Sequence, residues 1–143
     1  MALSLAGNTA TGLLNSSVAS AQEADTLRIG MRRGLLTFDP HNNGAYGTPL
    51  MNVFDTLVRR TKEGTFVPHL AKSYEQKDDY TWEVVLHEGV KFHDGSELTA
   101  RDVKFTLDRE VSDTRLIESP RFSTIKEVKV LDPYRLQIIP NVP

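Results

Sequence analysis

The side chains of this chain that could do chemistry crowd into "LHEGVKFHDGSELTARDVKFTLDR", Leu86 to Arg109, where a histidine, an aspartate and a glycine turn precede a charged helix. A His-Asp pair can act as a general base with its orienting carboxylate, or as two ligands of a metal ion. The spacing argues against both. His93 and Asp94 are adjacent, so on a turn they point apart, and no serine or cysteine nucleophile motif accompanies them. The four histidines, His41, His69, His87 and His93, show none of the short intervals that zinc sites use. There is no nucleophile elbow and no HExxH, and without cysteine there is no thiolate chemistry, disulfide or lipidated thiol. The sequence therefore reads as having no catalytic residue, no metal site and no cofactor, with His93-Asp94 as a structural turn.

The same stretch makes sense as scaffold. Gly89 ends a strand that closes at Leu86 or His87, Val90-Lys91-Phe92 is a short extended piece, and His93-Asp94-Gly95 is a tight turn in which Gly95 takes a positive φ. Thr99 then caps a helix, and Thr99-Ala100-Arg101-Asp102 has the form of a capping box, the hydroxyl accepting from the Asp102 amide and the carboxylate reaching back. Ala100, Val103 and Leu107 share the buried face, whereas Phe105 points away from it and would need a second surface.

Around this stretch the pattern is mixed α and β. Thr26–Met31 alternates as a half-buried strand, and Gly34 to Gly47, with three glycines, one proline and two asparagines, reads as a long functional loop. Thr48-Pro49 starts a helix to about Asp55, with Leu50, Val53, Phe54 and Leu57 at helical spacing, followed by a strand from Leu57 to Arg60. Lys62-Glu63-Gly64 is a turn, the segment around Pro68 is irregular, and Lys72 to Lys77 is extended. Asp78-Asp79 closes a hairpin into a strand in which Tyr80, Trp82, Val84 and Leu86 form the buried face. A second hairpin, Ile125 to Leu131 and Tyr134 to Ile139, turns at Asp132-Pro133 and sets Val128 and Val130 against Leu136 and Ile138.

With 143 residues, 39% hydrophobic and 25% charged, the composition is that of an ordinary globular protein and the length suggests one domain. A net charge of −2 supplies no field to attract nucleic acid or an anionic membrane, and no apolar run is long enough to cross a bilayer. Residues 1–24 carry no lysine or arginine and end near the small-x-small triplet Ala19-Ser20-Ala21. They read as a signal peptide cleaved after Ala21 or as a disordered leader, the signal reading placing the protein outside the cytoplasm.

"VPHLAKSYEQKDDYTWEVVLHEGVKFHDGSELTARDVKFTLDR" resembles the signature segment of the bacterial extracellular solute-binding proteins of family 5, the peptide, oligopeptide and nickel receptors of ABC importers. Pro68 with Leu70-Ala71-Lys72-Ser73, Thr81-Trp82, Leu86 with Gly89-Val90-Lys91-Phe92, Asp94-Gly95, and Leu98-Thr99-Ala100 with Asp102-Val103 carry the match in order. Upstream "FDPH", Phe38 to His41, and "NVFDTLVRR", Asn52 to Arg60, are similar to that family's post-strand loop and first helix. The resemblance implies a mixed α+β fold, the N-terminal part of lobe I of a type II periplasmic-binding protein, with residues 25–143 as an incomplete lobe. Such a piece would expose apolar surface and be poorly soluble alone.

It also implies a function: capture of a peptide or similar small solute in the periplasm of a Gram-negative cell and delivery to a membrane ABC permease, by a protein monomeric when full length and free of a lipid anchor. Carried over by position, the ligand-facing residues are Leu35, Leu36, Thr37, Asn43, Tyr46, Gly47 and Arg121, with Glu118 to Phe122 as the second lining segment. Tyr46 can stack on a ligand and offer its hydroxyl, or pack under its own loop; Arg121 can meet a ligand carboxylate or remain solvated. The competing readings are a secreted interaction module and a secreted enzyme.

Overall fold

The computed structural model describes residues 30, 34–35, 37–43 and 48–141, and every element below lies in the unit Arg32–Pro143. Apart from Gly30, the strand expected over Thr26–Met31 and the leader fall outside the described residues. After single 3₁₀ segments at Pro40–Asn42 and Thr48–Asn52, the chain forms β1 (Val58–Arg60), β2 (Phe66–Pro68), β3 (Ala71–Asp78) and β4 (Thr81–Leu86). It continues with α1 (Ala100–Ser112), α2 (Ser119–Phe122), β5 (Ile125–Asp132) and β6 (Arg135–Pro140). β1 and β2 make a two-stranded antiparallel ribbon, and the other four strands form an antiparallel sheet in the order β3-β4-β6-β5.

Both hairpins of the larger sheet close by the same device. The Asp78 carboxylate accepts the Tyr80 amide at 2.8 Å and the Asp132 carboxylate accepts the Tyr134 amide at 2.9 Å, so each aspartate mimics a backbone turn two residues on. The β5–β6 register sets Val128 opposite Ile138 and Val130 opposite Leu136, as the alternation requires. Period-two alternation then puts Val84, Leu86, Val128 and Leu136 on one face, where Ala100, Val103 and Leu107 of α1 cover them. Leu136 and Ala100 are fully excluded from solvent.

The helix begins as its sequence dictates. The Asp102 carboxylate accepts from both the amide and the hydroxyl of Thr99, each at 2.8 Å, while the Asp102 amide donates to the Thr99 carbonyl at 3.1 Å. The capping box is present, with the hydroxyl spending its proton on the carboxylate. Gly89 and Gly95 both take positive φ, 73° and 87°, and the Asp94 carboxylate binds the amide and hydroxyl of Ser96, which makes His93-Asp94 a turn.

Three expectations change. Tyr80 lies in the turn and is 52% exposed, and Trp82 is 38% exposed. The reason is coverage: α1 lies over β5 and β6, so the far end of the β3–β4 face is left as an open apolar groove of about 440 Å³ lined by Leu57, Val58, Phe66, Tyr74, Trp82, Val84 and Ile138. The segment around Pro68 is a strand; Pro68 ends a ribbon edge, where its missing N–H removes no bond that a central strand needs. Thr48–Asn52 is one 3₁₀ segment, with no α-helix to Asp55, because only Leu50 is buried while Val53 and Phe54 find no covering surface. Phe105, expected to need a second surface, is 70% exposed.

Leu136→Ala should cost about 2–5 kcal/mol of unfolding free energy, through lost transfer energy and the cavity left behind. Phe105→Ser should stay within about 0.5 kcal/mol. Urea midpoints of the two variants check both; equal effects would remove the assignment of the core to the α1 face.

Candidate functional site

The two segments carried over as ligand-facing, one near residues 35–47 and one near 118–122, are far apart in sequence and adjacent in the structure. The Glu118 amide donates to the His41 carbonyl at 3.1 Å, and the Ile117 amide to Asn42 Oδ1 at 3.3 Å. Local chemistry prepares the loop for this. Asp39 caps the 3₁₀ turn, its carboxylate accepting the His41 amide at 3.0 Å, and Pro40 follows where no N–H is required.

The stronger tie comes from the last turn of α1. Arg109 grips the Asp39 carboxylate with both terminal nitrogens, Nη2 to Oδ2 at 2.6 Å and Nη1 to Oδ1 at 3.1 Å, a bidentate pair that fixes orientation as well as distance. Asn42 Nδ2 adds a third contact on Oδ2 at 3.2 Å. The Arg109 hydrogen bond is the main reason the Asp39 carboxyl is held down at about 2; burial opposes it, and the His41 amide and the Arg109 charge reinforce it. Arg109 Nη1 also reaches His41 Nδ1 at 2.8 Å.

Of the residues expected to face a ligand, Thr37 and Asn43 are brought together. Asn43 is almost fully buried; its Nδ2 donates to the Thr37 and Asp39 carbonyls, the latter at 3.0 Å, and its Oδ1 is left without a partner. The Thr37 hydroxyl accepts the Asp39 amide at 3.1 Å. Both side chains thus brace the loop. Leu35 is half-buried in irregular backbone, and Leu36, Tyr46 and Gly47 lie outside the described residues. Arg121 sits exposed on α2 with Nη1 on Glu118 Oε2 at 2.7 Å, which leaves the rest of its guanidinium fork open to an anionic group.

Asp39, His41, Arg109 and Glu110 were not among the carried-over residues, yet they gather where these segments meet. A signal existed for two of them. Asp39-Pro40 is a cap followed by a first-turn proline, and Glu110 falls in phase with Ala100, Val103 and Leu107, a charged residue on an otherwise apolar stripe. His69 is used elsewhere, at 2.7 Å from Arg59 and 3.2 Å from the Thr56 carbonyl. Among the described residues no group of three histidine, aspartate or glutamate side chains is arranged to hold a metal ion.

This mixed α and β unit has counterparts among proteins that bind solutes. The model of the bacterial extracellular solute-binding proteins, family 5 Middle, matches residues 65–143, and the chain belongs to that family. The glutathione-binding protein GsiB of Pectobacterium atrosepticum is 32% identical over 143 residues, covering 97% of this chain and 27% of its own length. YejA of Escherichia coli, an uncharacterised protein, is 39% identical over 80 residues, covering 51% of this chain and 13% of its own. The structure of NikZ from Campylobacter jejuni in complex with Ni(L-His) superposes with a TM-score of 0.70 at 26% identity, over 76% of this chain and 22% of that one. AppA from Bacillus subtilis in complex with a nonapeptide gives a TM-score of 0.65 at 25% identity, over 70% and 20%. The fold is that of the periplasmic binding proteins, and the chain spans 13% to 27% of these two curated relatives.

A lowered carboxyl stabilises the fold above its unfolded value and stops doing so as pH falls through the folded one, so the Asp39 contribution is present above pH 3.8 and lost on approach to about pH 2. Asp39→Asn should therefore be less stable than the parent at neutral pH, with the gap closing between pH 3.8 and about 2. Urea midpoints at a series of pH values read this, and a gap that persists unchanged to pH 2 would show that the pair carries no charge-dependent stability.

Proposed function

We propose that this chain belongs to the substrate-binding component of an ABC importer, which captures a peptide or similar small solute in the periplasm and hands it to a membrane permease without chemical change. The observation that carries the reading is the joining of the 37–43 loop to the Ile117–Arg121 segment, in a chain of the family 5 solute-binding proteins. A loop clamped from behind by Arg109 and Asn43 presents its other side as a preformed surface, and preorganisation lowers the ordering cost of capture.

In this reading residues 1–24 are a leader removed after Ala21, and residues 25–143 form part of lobe I. Leu35, Leu36, Thr37, Tyr46 and Gly47 line one side of the ligand and Arg121 the other, where it meets a carboxylate; Asn43, expected on the same side, is buried and holds the loop from behind. In this reading the receptor carries no lipid anchor, is free in a Gram-negative periplasm and is monomeric when full length. No cofactor takes part. A secreted interaction module is the second reading, favoured by the open groove beside Trp82 and Phe66.

Thermal-shift and calorimetric titration of the protein, produced from its natural reading frame, against glutathione, a nonapeptide, Ni(L-His) and mannopinic acid test the choice. One of these classes should raise the melting temperature in proportion to its concentration. Tyr46→Ala should weaken that ligand roughly fivefold, about 1 kcal/mol, by removing a stacking face. No stabilisation by any of the four, together with concentration-dependent self-association, would replace the receptor reading with the interaction module.

A further inference from the structure

Among the described residues Glu110 is the only acidic or basic one that is buried: it is 1% exposed, on the face of α1 that otherwise carries Ala100, Val103 and Leu107. Its Oε2 has no hydrogen-bond partner, and its Oε1 faces His41 Nδ1 at 3.4 Å. That histidine nitrogen is already engaged, because Arg109 Nη1 lies 2.8 Å from it. A guanidinium is always a donor, so Nδ1 must be the accepting nitrogen and the ring proton must sit on Nε2. Nδ1 therefore has no proton to give to Glu110. An ionised carboxylate here would be buried with no N–H or O–H on Oε2 among the described residues, an arrangement that interiors do not tolerate.

We propose that Glu110 is a proton-binding site of the folded chain, a buried carboxylic acid lying beside a neutral His41. The clasp between the 37–43 loop and the two helices is thus built around one ionic pair, Asp39–Arg109, with two uncharged groups beside it, the Glu110 carboxyl and the His41 ring. The titratable groups around Glu110 come from every neighbouring element: Arg109 on α1, Asp113 at its C-cap, Asp39 and His41 on the loop, and Glu118 with its partner Arg121 on the α2 side. The sheet face under α1 contributes Val84, Leu86, Val128 and Leu136, and no charge. Burial raises the Glu110 carboxyl first and the Glu118 and Asp39 charges add to it, against the opposing pull of Arg109. Burial, then the Arg109 charge, pushes His41 down. The two directions agree with one shared arrangement, the proton on the carboxyl and none added to the ring. This inference does not depend on the receptor reading.

A raised carboxyl contributes stability that is present below its unfolded value and lost as pH rises through its folded one, the reverse of Asp39. Urea unfolding of the parent chain and of Glu110→Gln between pH 4.5 and 8 tests this, glutamine standing for the protonated acid. Above pH 4.5 the parent should lose stability relative to Glu110→Gln, by up to about tenfold in the ratio of unfolding constants per pH unit until Glu110 ionises. A flat ratio, or a variant that becomes the less stable partner as pH rises, would overturn the proposal. If Glu110→Gln fails to fold, carbon-13 titration of the Glu110 carboxyl in the parent chain decides alone: a midpoint above 4.5 supports the proton site and one at or below 4.5 overturns it.

Discussion

The hydrogen bond from the Ala100 amide to the Pro133 carbonyl, 2.7 Å long, ties the first turn of α1 to the tip of the β5–β6 hairpin. The Tyr134 carbonyl next to it accepts the Leu86 amide at 2.7 Å, and the Tyr134 hydroxyl donates to Glu97 at 2.5 Å, so one turn gathers β4, the 89–97 loop and the helix start. A helix is stiff, so fixing its first turn fixes where its last turn arrives. Arg109 and Glu110 meet the 37–43 loop because Ala100 meets Pro133. The candidate site is therefore built at the far end of the segment that most clearly marks the family.

This geometry also explains why the loop is held by mixed chemistry. A half-exposed pair can stay ionic at little cost, and Asp39–Arg109, with side chains 27% and 35% exposed, does so with bidentate geometry. One helical position on, at Glu110, the helix has turned inward and the same charge would be expensive. Two neighbouring residues of one helix thus face opposite dielectric conditions, and the loop spans the boundary between them.

Where one face decides the structure, the sequence was sufficient. The Val128–Ile138 and Val130–Leu136 pairing follows from alternation, and the buried stripe of α1 from spacing, because a register slip would turn those side chains to water. What escaped depends on how far a neighbour reaches. Trp82 alternates correctly and is still exposed, since no periodicity tells how much of the sheet a helix covers. The 48–52 segment has helical spacing and lacks a surface to pack on. For the site, Thr37 and Asn43 came from family position, while Arg109 could be seen only once α1 and the loop were in place, 70 residues apart in sequence.

The His-Asp pair at 93–94 and the Asp-Arg pair at 39 and 109 make a useful contrast. The first looks like chemistry because its members are adjacent, and the structure spends Asp94 on closing a turn with Ser96. The second is invisible as a pair in the sequence and supplies a bidentate side-chain clamp on the loop. Adjacency along the chain favours local hydrogen bonds, which make turns; charged groups that must hold two elements together come from distant positions, where neither partner can satisfy the other before the fold forms. The signature segment contributes to the site through its last residue, Arg109, and it does so by orienting a loop that belongs to a different part of the sequence.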